Sequence, residues 1–129
     1  MLNVTALSPS TLEMIVDGPL SREDVARAFD QLEAVLDTVE TLDLLVDVRG
    51  KPDIHLGLIV EELKRLPLVI RLIRAIGRVA LIADEGWVLT AAKIESALIP
   101  GVHYETYTRD EAAHARRWAL RETDTPRPA

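Results

Sequence analysis

Cysteine is absent from the 129 residues. No disulfide, thiolate metal ligand or cysteine nucleophile is therefore available, and the composition fits a reducing, cytoplasmic compartment. Aromatic residues make up only 4% of the chain, so its core must be built mostly from Leu, Ile, Val and Ala. Long uninterrupted apolar runs are lacking too. The most apolar stretch, residues 66–83, is broken by Arg71, Arg74 and Arg78. A spanning helix needs about 20 largely apolar residues, so this stretch reads as a core helix followed by a core strand, with no stable membrane insertion. The opening residues have no basic region and no long apolar run, and do not read as a signal peptide. Finally, no serine or threonine occurs from Lys51 to Leu89.

What is present suits one globular domain. Hydrophobic residues are 48% and charged residues 28% of the chain, too apolar for disorder. Fifteen Lys and Arg stand against 21 Asp and Glu, a net charge of −6. Overall acidity argues against nonspecific nucleic-acid binding, which is driven by phosphate neutralisation. The charge is uneven: residues 1–50 carry three Arg and ten acids, residues 51–82 six bases and three acids. The basic middle, with Lys64, Arg65, Arg71 and Arg74, reads as the solvated side of a helix or as a local basic patch.

The apolar pattern predicts strands over 2–8 and 11–17, joined by Ser8-Pro9-Ser10 as a hairpin. Ser21 and Asp24 form a capping-box signal. Val25, Ala28, Phe29, Leu32, Val35, Leu36 and Val39 then recur at helical spacing, with acids on the outer side. Leu42–Val48 reads as a central strand buried on both faces. A second helix is expected from near residues 54–56 towards Arg74, kinked or split by Pro67 and ended by Gly77. Arg78–Ala83 reads as a strand, and Asp84 as the cap of a third helix carrying Trp87, Val88, Ala91, Ile94 and Leu98. Val102–Tyr107 reads as a last strand. Thr108 and Glu111 form a second capping box before a C-terminal helix through Trp118 and Leu120. Residues 1–121 make a single domain and 122–129, polar and Pro-containing, a flexible tail. The order ββαβαβαβα implies an α/β fold, a mixed sheet with helices packed against it. Ligands in such sheets sit at the carboxyl ends of strands where the order reverses. Here that edge would be built by the loops after Val48 and Ala83.

Several residues at that edge are candidate ligand or partner contacts. Arg49 and Lys51 place two cations at a strand end, suited to a phosphate or carboxylate, although the phosphate-loop pattern is missing. His55 beside Asp53 is a candidate anion-binding or acid–base pair; in the competing reading Asp53 is a helix cap and His55 a surface residue. Asp84 and Trp87 follow the adjacent strand, where Trp87 walls a pocket or anchors a helix. His103 and His114 lack metal-ligand spacing and read as structural. Leu63, Leu66, Leu68, Val69, Ile70, Leu72, Ile73 and Ile76 are too many for one narrow helical stripe. The second helix is then buried on several sides, or meets another subunit, a partner or a membrane surface. No nucleophile elbow surrounds Ser8, Ser10, Ser21 or Ser96.

The order of elements resembles the STAS superfamily of sulfate transporters and anti-sigma factor antagonists, and within it the SpoIIAA-like branch of small bacterial proteins. The resemblance rests on Val16-Asp17-Gly18-Pro19-Leu20-Ser21, on Leu44-Leu45-Val46-Asp47 and on Arg78–Asp84 leading to Trp87. It continues through Tyr104-Glu105-Thr106-Tyr107, Glu111-Ala112 and Trp118, and spans roughly residues 10–120. It implies a bacterial cytoplasmic regulatory or binding domain rather than an enzyme. In the anti-sigma antagonists a serine opening the second helix is phosphorylated, and the added charge switches the partnership. The corresponding place here holds Asp53-Ile54-His55-Leu56-Gly57, without a serine.

The sequence therefore supports a non-enzymatic STAS-type interaction domain, expected as a homodimer and without cofactor or metal. The alternative is a carrier of a small apolar or lipid-like ligand, which implies a cavity between the sheet and the second helix. An enzyme using Asp53 and His55 is a third reading.

Overall fold

The computed structural model describes residues 1–49, 66–84 and 101–127. The expected start of the second helix, the Asp53–His55 pair, Lys51, and the third helix with Trp87 lie outside the described residues, as does the turn that Pro67 was expected to disturb.

The hairpin forms where the alternation placed it. β1 (Leu2–Ser8) pairs antiparallel with β2 (Thr11–Asp17). Gly18, at φ +68°, turns the chain out of β2 in a conformation that side chains disfavour. Ser21 then caps α1 (Arg22–Leu36): its hydroxyl accepts from the Asp24 amide at 3.1 Å, and the Asp24 carboxylate accepts from the Ser21 amide at 3.2 Å. α1 buries Ala28, Leu32 and Leu36 and leads to β3 (Leu42–Arg49). α2 (Leu66–Ala75) feeds directly into β4 (Ile76–Ile82). The expected helix stop at Gly77 is thus corrected: α2 ends at Ala75, and Gly77 lies within β4. β5 (His103–Tyr107) precedes the Thr108–Glu111 capping turn and α3 (Ala112–Ala119).

The sheet runs β1-β2-β3-β4-β5, with β2 to β5 parallel. This corrects the expectation of a reversal in strand order. The strand order steps in one direction, and right-handed crossovers then lay α1 and α2 on one face. Leu32 and Leu36 of α1 and Leu68 of α2 meet Leu12, Leu42 and Leu44 there. The other face is covered by α3, whose Ala115, Trp118 and Ala119 pack on Leu45, Ala80, Ile82 and Tyr107. β3 is buried on both faces as expected, its even positions towards α1 and α2 and Leu45 towards α3.

Two acids interrupt that strand. Asp43 and Asp47 are 2% and 7% exposed, and their odd numbering places them on the α3 face with Leu45. Each is matched by an arginine from the C-terminal region: Arg121 on Asp43 and Arg109 on Asp47. Arg121 binds Asp43 through two nitrogens at 2.7 and 3.0 Å, and the Arg78 amide donates to the same carboxylate at 2.8 Å. Buried carboxylates need such partners, because desolvation disfavours a lone charge.

The polar composition of residues 122–127 conceals several attachments to the domain. The Arg78 guanidinium donates to the Thr123 carbonyl at 3.1 Å and to Asp124 at 3.0 Å. The Tyr107 hydroxyl donates to the Pro126 carbonyl, and Arg127 donates to the Thr106 carbonyl and pairs with Glu105 at 3.2 Å.

Candidate functional site

The carboxyl ends of β2, β3 and β4 bring Asp17, Arg49 and Ala83-Asp84 to one edge of the sheet. Asp47 anchors this edge. Its Oδ2 accepts from Arg49 Nε and Nη2 at 3.3 and 3.2 Å, while its Oδ1 accepts from Arg109 Nη1. Arg109 Nη2 donates to the Val48 carbonyl at 2.8 Å. The local chain explains this arrangement. Arg49 stands two residues after Asp47, on the same face of the strand. Arg109 follows Thr108, whose amide donates to the Glu111 carboxylate at 3.0 Å; this capping turn fixes the point from which Arg109 reaches back across the sheet edge.

Taken alone, Asp47, Arg49 and Arg109 hold an excess of one positive charge, and Asp17 and Asp84 flank them at the same edge. The side chains of Arg49 and Arg109 are 50% and 43% exposed, against 10% for Asp47. The acid is therefore internal and engaged, while the cations face outward. Such a cluster can receive a carboxylate or phosphate from a partner. It does not present Asp47 as a base, because both of its oxygens accept from arginine.

Of the six candidate residues, Arg49 lies in this cluster. Asp84 is exposed just beyond β4, after the buried Ala83. Lys51, Asp53, His55 and Trp87 lie outside the described residues. Asp47 and Arg109 were not singled out from sequence. An acid inside the apolar run Leu42–Val48 was the available signal, since a buried carboxylate requires a cation, but nothing local indicates one that lies 62 residues away. His114, read as structural, contacts the Thr125 carbonyl through Nε2 at 2.6 Å. Among the described residues no group of three or more His, Asp or Glu is placed to hold a metal ion.

A second feature lies where α1 ends beside α2. Leu36, Val39, Pro67, Ile70 and Ala75 line an open groove of about 400 Å³, with Glu40, Arg71 and Arg74 on it. Ile70 is 43% exposed. Arg71 pairs with Asp37 at 2.7 Å and donates to the Leu36 carbonyl at 3.0 Å, so α2 supplies the cation that the C-terminus of α1 lacks. Neither this groove nor the other described cleft lies between the sheet and α2. No helix is long and apolar enough to cross a membrane among the described residues.

Among the described residues, a mixed five-stranded sheet with α1 and α2 on one face, α3 on the other and a polar carboxyl edge defines an α/β domain of the STAS type. The sequence matches the SpoIIAA-like family over residues 11–120, and the chain belongs to that family. Its fold is similar to the crystal structure of an uncharacterised protein of the DUF3478 family from Shewanella loihica PV-4, which has a SpoIIAA-like fold. The TM-score is 0.63 at 20% identity, covering 88% of this chain and 90% of that one. No curated protein matches the chain.

Proposed function

We propose that this protein is a non-enzymatic, cytoplasmic interaction domain that works as a homodimer and lacks the phosphorylatable serine of the anti-sigma antagonists. The observation that carries the reading is the α1–α2 groove. Ile70 is exposed there beside Arg71 and Arg74; α1 presents the exposed acids Asp30 and Glu33, and Asp37 and Glu40 follow just beyond its end. Arg71 is paired with Asp37 within the chain, and a surface with cations beside acids around an exposed apolar side chain can be self-complementary under two-fold symmetry, Arg74 of one copy facing acids of the other. Membership of the SpoIIAA-like family supports the class of function without naming a partner. The outward guanidiniums of Arg49 and Arg109, with Asp84 at the neighbouring strand end, form the edge at which a further protein or an anionic group would be read; Lys51, Asp53, His55 and Trp87, which follow these strands in sequence, are proposed as its further contacts.

Sedimentation velocity on the full chain and on Ile70→Glu tests this. A dimeric wild type and a monomeric, folded Ile70→Glu are expected, because a carboxylate in a closed apolar contact is costly. A monomeric wild type across the micromolar range contradicts the reading.

A further inference from the structure

A second cleft lies at the amino ends of β4 and β5, on the opposite edge from the Asp47 cluster. Its volume is about 490 Å³, and Arg78, Val102, His103, Trp118, Asp124 and Pro126 are among its walls. Arg78 is the built element. Its side chain is only 13% exposed. Its guanidinium lies over the Trp118 ring, 5.1 Å from the centroid, and Nη1 donates to the Trp118 and Thr123 carbonyls at 2.9 and 3.1 Å. Stacking and these two bonds fix the orientation of the cation.

Its acidic partner is different. Asp124 meets Arg78 Nη2 at 3.0 Å, yet its own side chain is 97% exposed. A carboxylate standing in water gains little from such a pair. A pre-oriented, largely buried guanidinium is a strong receptor for an anion; the anion it holds is a weakly held one on the chain's own tail.

We infer that this cleft is an anion-binding site, and that Asp124 is a tethered occupant standing where the carboxylate or phosphate monoester of a small ligand binds. The ligand's apolar part packs against Val102 and Pro126, while the buried Trp118 ring backs Arg78 from beneath. Binding displaces Asp124, so the tail competes with the ligand through its high local concentration. Arg121, which also borders the cleft, is committed to Asp43, and Arg78 is the group that reads the anion.

The test uses the full chain, with benzoate, phenyl phosphate and inorganic phosphate as probes. Binding is followed by NMR at the Arg78 Nε–H and the Trp118 indole N–H. Asp124→Asn removes the competing charge at an exposed position, and is expected to bind an aromatic probe about tenfold more tightly than the wild type. Arg78→Lys placed in the Asp124→Asn chain is expected to lose that gain while keeping its thermal transition. Preference for benzoate marks a carboxylate ligand, and preference for phenyl phosphate a phosphate ester. Equal weak responses in wild type and Asp124→Asn overturn the inference. So does binding that survives Arg78→Lys, or inorganic phosphate binding as tightly as either aromatic probe.

Discussion

Arg121 occupies a backbone position that suits glycine. It is the first residue beyond the α3 cap and has φ +60°. The Arg121 amide donates to the Trp118 carbonyl at 3.1 Å and the Glu122 amide to the Arg117 carbonyl at 2.9 Å, the paired bonds of a Schellman ending. A non-glycine residue there costs about 1 kcal/mol. The bond to the 2%-exposed Asp43 carboxylate outweighs that strain. Arg121→Ala keeps the strain and loses the bond, and is expected to destabilise the fold by about 3 kcal/mol in urea unfolding. Arg121→Gly loses the bond but relieves the strain, so it should be about 1 kcal/mol milder. Equal losses in the two variants would sink this explanation. Gly77 serves the same pair by leaving it room: a Cβ there would stand 2.7 Å from Arg121 Nη2 and 2.9 Å from Asp43 Oδ1. Gly77→Ala is expected to destabilise, and by less when Arg121 is already alanine. At this scale the sequence was half legible. Asp43 and Asp47 stand out in an apolar run, but their arginines lie 78 and 62 residues away, beyond any local spacing rule.

Elements defined by neighbouring residues were readable. The hairpin follows from alternation and a turn, and both capping boxes follow from a residue and its acid three positions later. Sequence does not carry the sheet order in the same way, because order depends on which crossovers close, and the expected reversal did not occur. The boxes also make a pH prediction. Bonds from the Thr108 amide and hydroxyl hold the Glu111 carboxyl below its ordinary range, and bonds from Ser21 do the same for Asp24. A lowered pKa means the folded state favours the charged form. Its stabilisation is complete above the ordinary carboxylate range and is lost as pH falls through the lowered values. Glu111→Gln should therefore flatten the acid limb of the stability curve, and an unchanged limb would refute the role given to this cap. Tyr107 behaves oppositely at high pH. Burial and the nearby Glu105 push its hydroxyl up to about 12, so the fold favours the neutral phenol. That contribution is present below the ordinary tyrosine value and fades as pH rises towards 12. Absorbance titration of Tyr104→Phe, which leaves Tyr107 as the one tyrosine of the chain, is expected to show phenol ionisation only as pH approaches about 12.

For the whole molecule, charge and topology carry the functional argument. Composition indicated an acidic front half and a basic middle, and the fold sets the acidic side of α1 beside Arg71 and Arg74 of α2. The candidate edge was legible as a location, the carboxyl ends of parallel strands, and as one of its cations, Arg49. Its anchor, Asp47 with Arg109, emerged only once α3 was seen to cover the opposite face from α1 and α2. The Asp53–His55 pair and Trp87 remain proposals about that edge. Native mass spectrometry of the protein, purified gently from its own cells, tests the central claim most directly, because it reports stoichiometry and any retained small molecule together. The account predicts a dimer whose mass is twice that of the chain, with no apolar adduct. A monomer that carries an apolar molecule released only on denaturation would contradict it and make the protein a carrier.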